Sequence, residues 1–157
     1  MAAIAGQNFM TGLPALLLVE DNDDDVFFMK RAIQAAEITN PVQVAPDGQE
    51  AIDYLSGVGK YGDREQFPLP ALILLDLKMS RRSGLEVLEW LRAQPALRTL
   101  VVIILTTSRE RSDIERAYQL GANSFLLKPS NTTALTGMMM ALKHYWLTYN
   151  QYDTASN

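Results

Sequence analysis

The chain has 157 residues, 48% of them hydrophobic, a formal net charge of -4 and no cysteine. That length fits one domain around one core, and the missing cysteine excludes a disulfide framework and thiol chemistry. The mild acidity, with Arg81-Arg82 as the densest basic tract, argues against a nucleic-acid surface, and no apolar run approaches the length of a membrane span.

Met1 to Pro14 lack the basic start and long apolar core of a signal peptide. The expectation is a cytoplasmic protein: a flexible segment at 1–13, one domain over 14–150 and a flexible tail at 151–157. The domain opens with the apolar run Ala15–Val19, read as a strand. Asn22 and Asp23 to Asp25 follow as cap and dipole residues of a helix whose inner face is Val26, Met29, Ile33 and Ala36. Asn40-Pro41 is expected to break that helix before a second strand at Val42–Ala45. Asp47-Gly48 turns into a short helix over 50–55, with Ala51, Ile52 and Leu55 inward. A glycine- and charge-rich loop runs from 56 to 70. Residues 71–75 are apolar throughout, as a strand buried on both faces should be. Ser83-Gly84 opens a helix that Pro95 halts, and 101–105 is the fourth strand. A helix over 112–120 meets Gly121 as its C′ glycine, Ser124–Leu127 is the fifth strand, and a long helix over 131–150 is capped by Asn131.

This alternation predicts an α/β domain with a doubly wound, five-stranded parallel sheet and helices on both faces. Right-handed crossovers favour the flavodoxin-like order 2-1-3-4-5. Ligands in such sheets bind outside the carboxyl ends of the strands. Those ends carry Glu20-Asp21, Asp76, Thr106 and Lys128. Three clustered carboxylates repel unless a cation sits among them, so the cluster asks for a hard divalent metal. The hydroxyl and the ammonium ask for an anion beside it. Together they point to an aspartate that becomes phosphorylated.

At these residues the chain resembles the receiver domains of two-component response regulators. The motifs are the acidic pair in LLVEDN, the aspartate in LLDLKM, the hydroxyl in ILTTS and the aromatic and Lys-Pro of SFLLKP. The loop KYGDREQFPLP and the extended last helix look closest to small stand-alone regulators that partner phytochrome-type histidine kinases. The resemblance implies that Asp76 is the phosphoryl acceptor and that Asp21, Asp76, the Lys78 backbone carbonyl and, through water, Glu20 hold Mg²⁺ or Mn²⁺. It further implies that Thr106 and Lys128 bind the phosphoryl group, that Phe125 is a switch aromatic and that Pro129 carries a cis peptide bond. The implied partners are a sensor histidine kinase or a histidine phosphotransfer protein and a downstream protein target, with neither nucleic acid nor membrane involved. Such a protein is a signalling switch rather than an enzyme, catalysing only its own phosphorylation and dephosphorylation.

Two positions depart from the family pattern. Ser80 stands where proline is usual, leaving the loop either more mobile or supplied with an extra hydrogen bond. Lys78, two residues after the acceptor, can lie over the phosphoryl group and impede water. The rival function is an aspartyl-phosphate phosphatase or phosphotransferase of haloacid-dehalogenase type, which would need an acid where Lys78 stands. A flavin-binding protein would need a glycine-rich phosphate loop where EDNDDD stands. In the last helix, Leu142, Tyr145, Trp146 and Tyr149 extend an apolar stripe beyond the expected sheet. Two arrangements fit it: a homodimer or partner-helix interface, or a fold back under the loop carrying Tyr61 and Phe67.

Overall fold

The computed structural model describes residues 12–152. The terminal segments expected to be flexible lie largely outside these described residues. Five parallel strands form one sheet in the order β2-β1-β3-β4-β5. They are β1 (Ala15–Val19), β2 (Val42–Ala45), β3 (Pro70–Leu75), β4 (Val101–Thr106) and β5 (Ser124–Leu127). Five helices connect and follow them: α1 (Asp23–Ala35), α2 (Gly48–Ser56), α3 (Gly84–Ala93), α4 (Arg111–Gln119) and α5 (Thr132–Leu142).

Successive residues of a strand face opposite sides of the sheet. Leu17, Val19, Ile73, Leu75, Val102 and Ile104 pack with α2, α3 and α4 on one face. Leu16, Leu18, Leu72, Leu74, Ile103 and Leu105 pack with α1 and α5 on the other. Both faces are covered, which is why the strand sequences are apolar without alternation. Each such fully buried aliphatic side chain contributes about 1.5–3 kcal/mol. Among the described residues no helix is long and apolar enough to cross a membrane.

The helices start where their caps dictate. Asn22, Asp47, Ser83 and Asn131 each accept a hydrogen bond from a backbone N–H three residues on. Several boundaries shift by one residue from expectation, and three differ by more. The first helix ends well before Asn40-Pro41, because Glu37 takes a left-handed conformation at φ 56°. The second begins two residues earlier, at Gly48, since Asp47 is its cap. The last is not one continuous α-helix: it changes at Lys143 into a π-helical segment, Lys143–Tyr149.

The loop from 56 to 70 is ordered around Arg64. Its guanidinium donates to the carbonyls of Tyr54 (2.7 Å), Leu55 (2.9 Å) and Phe67 (3.2 Å), satisfying carbonyls that the end of α2 leaves open. Tyr54, Tyr61 and Phe67 cluster on the α2 side of the sheet, Phe67 edge to face with both tyrosines and the tyrosines tilted at 49° to each other. Burial pushes the Tyr54 phenol up to about 12. Trp146 packs on the opposite face, so the alternative arrangement, a fold of the last helix back under this loop, does not occur.

Candidate functional site

β1 and β3 are neighbours in register, Val19 beside Leu75, so their next residues emerge side by side. Glu20, Asp21 and Asp76 each bring a carboxylate oxygen into one group whose members lie within 4.8 Å of one another. Oxygens on opposite sides of a Mg²⁺ ion stand about 4.2 Å apart, so the group matches a hard cation after a small closure. An all-carboxylate set also matches the oxygen preference of Mg²⁺ or Mn²⁺.

Each carboxylate is held. The Asn22 N–H donates to Glu20 at 3.2 Å, and the Leu77 N–H donates to Asp76 Oδ1 at 2.8 Å. Asp21 accepts from the Ser80 N–H at 3.1 Å. Lys128, delivered by β5 beside Thr106 of β4, pairs with Glu20, with Asp25 at 3.1 Å and with Asp76 at 3.6 Å. Burial alone would lower the Lys128 pKa, but Glu20, Asp76 and Asp25 outweigh it and hold the ammonium above its usual range. Burial pushes the Glu20 carboxyl up, and Lys128 offsets only part of that. A buried acid raised in this way gains from a cation that replaces its lost hydration.

Thr106 is buried at the end of β4, its hydroxyl accepting from the Ser108 N–H at 3.3 Å. Phe125 is half-buried against the α2–α4 face, and its N–H donates to the Tyr118 hydroxyl at 3.1 Å. Lys78 is exposed and forms no ion pair among the described residues. The peptide bond before Pro129 is trans, not cis, as are all described peptide bonds. The trans form is intrinsically favoured before proline by about 0.5–1 kcal/mol, and from it Lys128 reaches all three acids.

Sequence reasoning missed three contacts. Asp25 was assigned to capping, yet its carboxylate shares the Lys128 ammonium. Its place in the first turn after β1 was the available signal, because that turn overhangs the strand end. Arg81 was given no role, yet it reaches the buried Asp47 at 3.0 Å and Arg82 reaches Gln49 at 3.2 Å. These contacts brace the loop after Asp76 against the start of α2. Close packing accompanies them: a side chain at Gly84 would strike the Asp76 carbonyl, and one at Gly48 the Arg82 carbonyl.

Of the four last-helix residues, the structure brings only two to the surface. Leu142 is buried in the core and Trp146 packs against it, whereas Tyr145 and Tyr149 are 60% and 76% exposed.

A family profile described as the response regulator receiver domain matches residues 16–140. The probable methanogenesis regulatory protein FilR2 of Methanothrix harundinacea is 36% identical over 87% of this chain and 85% of its own. Response regulator Rcp1 of Synechocystis is 33% identical over 84% of this chain and 88% of its own. The crystal structure of the phosphorylated cyanobacterial phytochrome response regulator RcpA superposes with a TM-score of 0.84 at 30% identity, covering 91% of this chain and 100% of its own. With its sheet order, its strand-end acids and lysine, and these matches all agreeing, the chain belongs to the response regulator receiver family.

Proposed function

We propose that this receiver domain takes a phosphoryl group onto Asp76 from the phosphohistidine of a sensor histidine kinase or a histidine phosphotransfer protein. One observation carries the reading: Asp76 is the carboxylate that stands among Glu20, Asp21 and Lys128 at once. An Asp76 oxygen attacks phosphorus, the bond from phosphorus to the donor imidazole breaks, and that nitrogen leaves with the electron pair. The product is an acyl phosphate. Asp21, Asp76, the Lys78 carbonyl and, through water, Glu20 would hold Mg²⁺ or Mn²⁺; the Mn²⁺-bound form of Rcp1, 31% identical, supports that ligand. When bound, the ion neutralises charge on the transferring group. Lys128 moves its ammonium from Asp76 to the new phosphoryl oxygens, and the Thr106 hydroxyl donates to one of them. Phe125 follows the Thr106 loop and carries the change to a protein target.

The likeness to RcpA and Rcp1 supports a phytochrome-type kinase as the donor. The exposed Tyr145 and Tyr149 support a homodimer. Nothing in the matches supports the haloacid-dehalogenase alternative, and Lys78 stands where it needs an acid. Acetyl phosphate with Mg²⁺ should add one phosphoryl group to the protein, read by intact mass, and none to Asp76→Asn. Full labelling of Asp76→Asn would overturn the assignment.

A further inference from the structure

The three acids of the site are not equally constrained. Glu20 and Asp76 are buried, and each is fixed by a neighbouring backbone N–H and by Lys128. Asp21 is exposed and has no ion pair among the described residues. Among the described residues its carboxylate is held by one donor, the Ser80 N–H, 59 residues away on the loop after β3. That donor is a backbone group at the position where the family usually has proline, which has no N–H to give.

The loop presenting Ser80 is braced on both sides. The Arg82 N–H donates to the Ser80 carbonyl at 2.8 Å, and the Gly84 N–H donates to the Leu77 carbonyl at 2.8 Å. Arg81, in a left-handed conformation at φ 66°, is tied to Asp47. The Ser80 amide is therefore a fixed point, and the carboxylate it grips keeps its second oxygen for a metal.

We propose that the Ser80 backbone N–H is a positioning group for the cation, holding Asp21 toward Glu20 and Asp76 before the ion arrives. The inference rests on the metal reading above. Ordering one polar side chain in advance removes an entropic cost that binding would otherwise carry. A proline at this position would forbid the contact.

The test compares Ser80→Pro with Ser80→Ala, which keeps the N–H. Mn²⁺ binding to chelator-treated protein, followed by the loss of the free-ion paramagnetic resonance signal, should weaken about three- to tenfold in Ser80→Pro. Ser80→Ala should stay within about twofold of wild type, because the hydroxyl has no part in the contact. Equal affinity in wild type and Ser80→Pro would overturn the proposal, as would a loss in Ser80→Ala equal to that in Ser80→Pro. A wild-type protein that binds no Mn²⁺ would instead overturn the metal reading. A second measurement avoids the proline. Amide exchange at Ser80, followed by NMR without metal, should quicken at least fivefold in Asp21→Ala. An unchanged rate would also overturn the proposal.

Discussion

Lys128 sits where acids from the end of β1, from α1 and from the end of β3 converge, and the ordering of its distances is informative. Glu20 is nearest, then Asp25 at 3.1 Å, then Asp76 at 3.6 Å. The proposed acceptor, Asp76, is thus its loosest partner, which would leave the ammonium free to shift toward a phosphoryl group without first breaking its strongest bond. Asp25 shows how a residue-scale assignment goes astray. An acid in the first turn of a helix is explained fully by the dipole, and its second role appears only when β5 arrives from 103 residues away. Lys78 stands the other way: it is exposed, without an ion pair among the described residues, and two residues from Asp76. Its ammonium should lie over the phosphoryl group and crowd the in-line path of water. Lys78→Ala should therefore lose its phosphoryl group about two- to fivefold faster, an effect of under about 1 kcal/mol on the barrier. Phosphate release from purified phosphoprotein measures this, and an equal or slower rate in the variant would remove Lys78 from the mechanism.

Among the elements, α3 is tied into the sheet by one side chain. Arg92 donates through Nε and Nη2 to the Gly121 carbonyl, through Nη1 to the carbonyls of Arg98 and Leu100, and through Nη2 to Asn123 Oδ1, all between 2.8 and 3.0 Å. It joins the end of α3, the approach to β4 and the end of α4, where Gly121 is left-handed at φ 97°. Its five donors match a set of acceptors that lysine cannot reproduce. Arg92→Ala should cost about 2–4 kcal/mol in urea unfolding, since it strands several carbonyls, and Arg92→Lys should recover less than half of that. A loss below about 0.5 kcal/mol would mean that water replaces the fork. Nothing in the sequence singles Arg92 out, because most of its acceptors are backbone carbonyls, which leave no trace in residue type.

For the molecule as a whole, the two faces of the sheet separate two events. The loop with Tyr61 and Phe67, packed on Tyr54 of α2, closes the α2 side, and the last helix with Trp146 closes the α1 side. The acidic group of Glu20, Asp21 and Asp76 lies at the strand ends between them. Tyr145 and Tyr149, four residues apart, share one exposed face of the π-helical segment, while Trp146 packs on the core. The two exposed tyrosines are the surface a partner copy would cover. Tyr145→Glu with Tyr149→Glu should shift the protein from dimer to monomer in sedimentation equilibrium, with Asp76 still phosphorylatable. Trp146 is unsuited to this test, because its loss would disturb the core as well. A wild-type protein that stays monomeric at high concentration, phosphorylated or not, would exclude the dimer.

The fold and the acidic cluster were legible in the sequence because both follow from local rules. Apolar runs of four to six residues, each ended by a polar group and separated by capped helices, admit one economical winding, and that winding collects the strand ends. β2 and β5 lie where they were expected, to the residue. What the tertiary structure alone decided are the contacts that join distant segments through backbone atoms or one shared charge. These are the Ser80 amide on Asp21, Arg81 on Asp47, Asp25 on Lys128 and the trans bond before Pro129. The departure of α5 into a π-helix belongs with them, since periodicity reports which residues are apolar but not how many share a turn. A backbone N–H is present at every residue but proline, so its chemical use is set by what the fold brings within 3 Å of it, which no residue type records.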